Sequence, residues 1–150
     1  MPFVKVHIHL VWSTKNHEPL LYSKEVRDKL WQHMRENARK KDIYIDYIGG
    51  YTDHCHCLFS LGIDQTLQKV VQLIKGEASF WFNRQPDFSI ALRGKKLEWQ
   101  NDYFAVSVSE SMIDKVRNYI KHQEEHHRHK TFQEEYDEFI HKFGVQKSRE

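Results

Sequence analysis

Residues 52–61 read TDHCHCLFSL, with two histidines and two cysteines interleaved in a mostly apolar run. On a strand, successive side chains leave by opposite faces. His54 and His56 then share one face, and Cys55, Cys57, Phe59 and Leu61 share the other. The cysteine face suits a helix-covered side of a sheet, and the histidines stand on the barer side.

The surrounding segments extend that sheet. FVKVHIHLVW, residues 3–12, alternates with Val4, Val6, Ile8, Leu10 and Trp12 on one face and Lys5, His7 and His9 on the other. IYIDYIGG, residues 43–50, and YFAVSVSE, residues 103–110, are two further strands. Val26, Leu30, Met34 and Ala38 recur at every fourth place, which predicts a helix over 24–40 with Ser23 as its cap. Leu67, Val70, Val71, Ile74, Ala78 and Phe82 mark a second long helix, started near Asp64 or Thr66. Residues 83–102 hold Pro86, Gly94 and several basic residues, and read as a loop with a short strand at FSIAL. A third helix runs through Ile113, Val116 and Ile120, capped by Ser109 or Ser111. TFQEEYDEFIHKF, residues 131–143, predicts a last helix with Thr131 and Glu134 as a capping box and Phe132, Tyr136, Phe139, Ile140 and Phe143 as its apolar side. The order predicts an α+β, ferredoxin-like split β-α-β sandwich: an antiparallel sheet, helices packed on one face, and an extra C-terminal helix.

A length of 150 residues with 39% hydrophobic content suits one domain, 1–150, with 130–150 as a C-terminal helix and tail. The net charge is only +2, so any nucleic-acid surface must be local. Cys55 and Cys57 lie on one strand, poorly placed to bond to each other, which points to a reducing, cytoplasmic interior. The opening MPFVKVHIHLVW reads as a strand rather than a signal peptide, and no stretch is long enough to span a membrane.

Two imidazoles at alternate strand positions, about 7 Å apart, can converge on one ion at about 2 Å each. The pleat sends the cysteines away, which weakens a zinc-staple reading. His7 and His9 repeat the spacing on a neighbouring strand, so spacing alone does not choose between the pairs. VRNYIKHQ, residues 116–123, places Tyr119 and Gln123 four apart, on one helical face, with Tyr119 at the edge of the apolar stripe. An edge tyrosine with a packed ring and a wet hydroxyl is the plain alternative. As a set, two imidazoles and an amide oxygen leave a divalent ion open positions to polarise a phosphodiester, and a tyrosine hydroxyl is a nucleophile toward phosphorus.

Over residues 3–125 the chain resembles the single-tyrosine HUH transposases, the IS200-like or REP-associated tyrosine transposases. HIHLVWSTKNHEPLL, TDHCHCLFSL, QLIKGEASFWFN, LEWQNDYFAVSVSE and VRNYIKHQ carry the resemblance in order and spacing. It implies His54, His56 and Gln123 as metal ligands, Tyr119 as nucleophile, and Mg²⁺ or Mn²⁺ as the ion. It implies cleavage and rejoining of single-stranded DNA at hairpin-bearing ends through a 5′-phosphotyrosine. It also implies a homodimer, with the tyrosine helix of one subunit completing the histidine site of the other in many members. Cys55 departs from the bulky apolar residue usual between the two histidines. A non-catalytic or domesticated hairpin-binding protein, of DNA or RNA, is the rival from another class.

Around the site, Lys75 and the RGKK run, with Arg93, Lys95 and Lys96, are the candidate phosphate contacts. Trp99 is the candidate for stacking on unpaired bases, ahead of Trp81, Phe82 and Phe88. His122, His126 and His129 share one helical side, where a polar solvated helix is favoured over a zinc site.

Overall fold

The structure, a computed structural model, describes residues 2–126 together with 131, 133, 134, 137, 138 and 141. Four strands form one antiparallel sheet in the order β2-β3-β1-β4: β1 Val6–Ser13, β2 Tyr44–Tyr51, β3 His54–Leu61 and β4 Phe104–Val108. The first and third strands are central neighbours, and the fold is the α+β sandwich that the element order predicts.

Helices α1, Lys24–Lys40, and α2, Leu67–Asn83, cover the cysteine face. Their stripes, Val26, Leu30, Met34 and Ala38 on one and Val70, Val71, Ile74, Ala78 and Phe82 on the other, close over Leu10, Trp12, Cys55, Cys57 and Phe59. Each helix starts on a hydroxyl: Ser23 Oγ accepts from the Val26 N–H at 3.2 Å and Thr66 Oγ1 from the Lys69 N–H at 3.3 Å. Thr66, not Asp64, is the cap of α2.

Several expectations are corrected. β1 begins at Val6, and Val4 is 42% exposed. Val6 already pairs with Leu61, the last residue of β3, so no strand runs beside Val4. FSIAL is no strand: Pro86–Ala91 is a short helix, α3, with Pro86 at its first turn, where a missing N–H costs nothing. Phe88 sits in the core against Phe82, with Ile90 exposed. Neither the Ser109 nor the Ser111 hydroxyl caps the predicted third helix, although Ser109 is the N-cap residue of the 3₁₀ turn before it. Their hydroxyls bond each other at 3.1 Å, and a 3₁₀ turn at Glu110–Met112 leads into α4, Ile113–Lys121.

The largest difference is where α4 lies. It packs on the histidine face, which is therefore not bare: Ile113, Val116 and Ile120 close over Leu58, with Tyr47, Val108 and Tyr119 at the margin. A register shift between Ile45 and Tyr47 leaves Asp46 as the extra residue of β2. Its carboxylate takes Arg117 of α4 in a two-point pair, with Nε and Nη2 each at 2.7 Å. Beyond a break at His122, Gln123–His126 forms α5. Of the predicted last helix, Thr131 Oγ1 accepts from the Glu134 N–H at 3.2 Å, as a capping box requires. Phe132, Tyr136, Phe139, Ile140, Phe143 and His129 lie outside the described residues.

Cys55 and Cys57 are free thiols, fully buried under the two long helices. Burial pushes both thiols well above the ordinary cysteine range. Both should stay silent toward Ellman's reagent in the folded protein and react only on unfolding in urea. Prompt reaction of either thiol under native conditions would contradict this packing.

Candidate active site

Strand β3 delivers His54 and His56 to the face that α4 covers, and both are almost wholly buried, at 0% and 2% exposure. Burying imidazoles is costly unless their nitrogens are engaged. The Asp53 carboxylate stands 2.8 Å from His54 Nδ1 and accepts its proton. On the other side of the ring, His54 Nε2 lies 2.9 Å from Gln123 Oε1. The Gln123 side-chain N–H donates to the Tyr119 carbonyl at 3.3 Å, which turns the amide oxygen toward the histidine. Tyr119 and Gln123 thus remain linked across the break between α4 and α5.

His56 stands beside them. Its ring centre is 5.1 Å from that of His54 and 5.5 Å from that of Tyr119, edge-on to both. His56 Nδ1 is 2.9 Å from His9 Nε2 of β1. Tyr119 is half-buried, and its ring also meets the His9 ring edge-on at 6.2 Å.

Gly49 makes this approach possible. It pairs with His56 across β2 and β3. A Cβ on Gly49 would come within 2.9 Å of both the Ile120 side chain and the Ile120 carbonyl. Only a residue without a side chain lets α4 lie this close to the sheet.

His54, His56, Tyr119 and Gln123 thus converge within one chain. Their donor set fits a cation. His54 Nε2 and the amide oxygen stand 2.9 Å apart, close enough for one ion to take both as neighbouring ligands at about 2 Å each. A carboxylate on the far nitrogen, here that of Asp53, is the usual support of a ligating histidine. Among the described residues, no group of three or more His, Cys, Asp or Glu side chains could hold a metal, so the set in question is two imidazoles and an amide.

The other candidates lie elsewhere. His7 bonds Glu110 at 3.0 Å and Ser60 at 3.2 Å. Hydrogen bonds from His7 and Lys5 hold the Glu110 carboxyl below its ordinary range. Lys75 and Trp99 wall a cleft of about 540 Å³, with Gly76, Gln100 and Tyr103 among its lining. Lys75 Nζ donates to the Gln100 carbonyl at 2.8 Å, and the Trp99 indole N–H to the Lys75 carbonyl at 2.9 Å. Half-burial lowers the Lys75 pKa. Trp99 also packs edge-on against Trp12, at 5.6 Å, so less of its ring is open than a stacking platform would offer. Arg93, Lys95 and Lys96 are exposed on the loop after α3. Phe82 and Phe88 are core, and Trp81 stacks on His33 at 4.5 Å. Asp53 was not among the predicted site residues, and His9 entered only as half of the rival pair with His7. The signals for His9 are its spacing from His7 and a sheet face shared with His56.

The family model described as "Transposase IS200 like" matches residues 3–123. No curated protein matches the chain. Among solved structures, a chain from Deinococcus radiodurans R1, described as a candidate transposase, is similar at 24% identity and a TM-score of 0.58, over 81% of this chain and 93% of that one. A REP-associated tyrosine transposase bound to a REP hairpin is similar at 16% identity and a TM-score of 0.57, over 85% of this chain and 72% of that one. Both likenesses are of the fold.

Replacing Gly49 by valine should lift α4 off β2. Urea unfolding should show a loss of about 1–3 kcal/mol, the usual range for overpacking, with a weakened Tyr119–His56 contact. Unchanged stability and unchanged side-chain NMR shifts at Tyr119 would contradict the role given to Gly49.

Proposed function

Since the chain belongs to the IS200-like transposase family, we propose that it cleaves and rejoins single-stranded DNA at hairpin-bearing ends, with Tyr119 as nucleophile and His54, His56 and Gln123 as the holders of Mg²⁺ or Mn²⁺. What carries this reading is the convergence of those four side chains in one chain, with His54 Nε2 2.9 Å from Gln123 Oε1. The solved relative bound to a REP hairpin supports a hairpin as the recognised element.

In this reading the Tyr119 hydroxyl oxygen attacks the phosphorus of the scissile phosphodiester. A bond forms between that oxygen and phosphorus, the bond to the 3′ oxygen breaks, and a 5′-phosphotyrosine and a free 3′-OH result. A divalent ion, when bound, polarises the phosphodiester and stabilises the leaving oxygen. Tyr119 gains most from placement, because an in-line approach is a strict requirement. Helix α4 holds the ring edge-on to His56, and Gln123 ties the backbone carbonyl of Tyr119 to the ligand set. Rejoining is the reverse attack by a 3′-OH on the phosphotyrosine. Neutral imidazoles and an amide make a weak site for Mg²⁺ and a somewhat better one for Mn²⁺.

Arg93, Lys95 and Lys96 are the proposed phosphate contacts, and the cleft of Lys75 and Trp99 the continuation of the DNA path. The isolated bridge between Thr14 and Trp99 lies one residue beyond the pairing of Ser13 with His54, which puts that cleft next to the strand ends of the site. A homodimer belongs to the proposal, since β2 and β4 are sheet edges that pairing would cover. In such a dimer each chain carries its own complete ligand set.

Wild-type protein incubated with hairpin-bearing oligonucleotides and Mn²⁺ should give a covalent adduct on a denaturing gel, and Tyr119→Phe should give none. An adduct that persists in Tyr119→Phe, or no adduct on any end sequence from the flanking DNA, would leave a protein that only binds hairpins. Replacing Arg93, Lys95 and Lys96 together by alanine should reduce the slope of log affinity against log salt by about 2, at roughly 0.7 per phosphate on a single strand. An unchanged slope would remove that loop from the DNA path.

A further inference from the structure

The pair at His7 and His9 has the spacing of the ligand pair but no place in the reaction so far. Its two members part company in the fold. His7 lies at the rim, engaged by Glu110 and Ser60. His9 is fully buried, and its Nε2 lies 2.9 Å from His56 Nδ1.

We infer that His9 is the positioning residue for His56: it accepts the Nδ1 proton of His56 and turns His56 Nε2 toward the point where His54 Nε2 and Gln123 Oε1 meet. The inference rests on the metal-dependent reading above. A histidine that ligates through Nε2 carries its proton on Nδ1, and in a buried site that proton needs an acceptor. For His54 the acceptor is the carboxylate of Asp53. For His56 the group at hydrogen-bonding distance from Nδ1 is the His9 imidazole, held by the pairing of β1 with β3.

The difference between the two acceptors has a consequence. A carboxylate behind each histidine would neutralise much of a divalent charge. A neutral imidazole behind His56 orients the ring equally well and leaves more of the charge for the phosphodiester. His9 also borders Tyr119, with ring centres 6.2 Å apart, so one buried side chain steadies both the ligand and the nucleophile.

The test compares His9→Gln, whose amide oxygen can accept the same proton, with His9→Met, of similar length but without that acceptor. Mn²⁺ binding to the DNA-free protein is read from the EPR signal of free Mn²⁺, with His54→Ala/His56→Ala as the reference, and thermal melting checks that each variant folds. His9→Met should bind Mn²⁺ about 10- to 100-fold more weakly than wild type, and His9→Gln should recover most of the loss. Equal binding by wild type, Gln and Met variants would overturn the inference while leaving the metal site intact. If wild type binds no better than the double histidine variant, the metal reading itself fails, and this inference with it. Should His9→Met not fold, long-range ¹H–¹⁵N spectra of wild type with Mg²⁺ decide the matter. His56 should carry its proton on Nδ1, and a proton on Nε2 would overturn the proposal.

Discussion

Strand β3 is buried on both faces, and the rest of the molecule answers that constraint. A strand with two buried faces needs cover on each, and the covers here are unlike. The cysteine face lies under two long amphipathic helices with a conventional apolar core. The histidine face lies under a helix of nine residues that contributes a stripe of three aliphatic side chains. So narrow a stripe cannot close over a whole strand. It seals Leu58 and leaves His54 and His56 beside it, out of water but not in an apolar core.

That half-seal creates a debt of polar groups, which the neighbours settle. Asp53 and Gln123 flank His54 at 2.8 and 2.9 Å, and His9 meets His56 at 2.9 Å. Each partner comes from a different element: the turn before β3, the segment after α4, and β1. Buried polar groups that depend on one another in this way hold their geometry only while all the elements stay docked. The Arg117–Asp46 pair and the missing side chain of Gly49 belong to the same arrangement, because they set how closely α4 lies on the sheet.

The parts legible in the sequence are those governed by short-range periodicity. Alternation in TDHCHCLFSL separates the histidines from the cysteines, and fourfold recurrence marks α1 and α2 with their hydroxyl caps. A stripe at Ile113, Val116 and Ile120 announces a helix, but periodicity carries no record of which sheet face receives it. The placement of α4 was therefore illegible, and with it the burial of the histidines. FSIAL misled because a short apolar run suits either element, and Pro86 at a first helical turn outweighed its β-branched isoleucine. Trp99 looked like an open ring because its partners, Trp12 and the Lys75 carbonyl, are distant in sequence. Asp53 went unread, and His9 was weighed only as half of a rival pair, because their hydrogen bonds to His54 and His56 are not encoded in spacing.

The division of labour between sheet and helix has a physical logic. A helix of nine residues is below the length, about 12–15 residues, at which isolated helices become even marginally stable in water. Helix α4 therefore owes its form to the surface beneath it, and the position of Tyr119 is a property of the docked face rather than of the helix. The histidines stand instead on a central strand, paired on both sides. With Tyr119 on a short docked helix and His54 and His56 on a central strand, the adjustable part of the candidate site lies with the tyrosine and the fixed part with the histidines. Segments held by few buried groups open at the low end of the free-energy range, while central strands open near the global limit. Gln123 joins the two parts, since it touches His54 with one end of its amide and the Tyr119 carbonyl with the other. Any change at His54 is thus felt within one residue's length of the Tyr119 backbone.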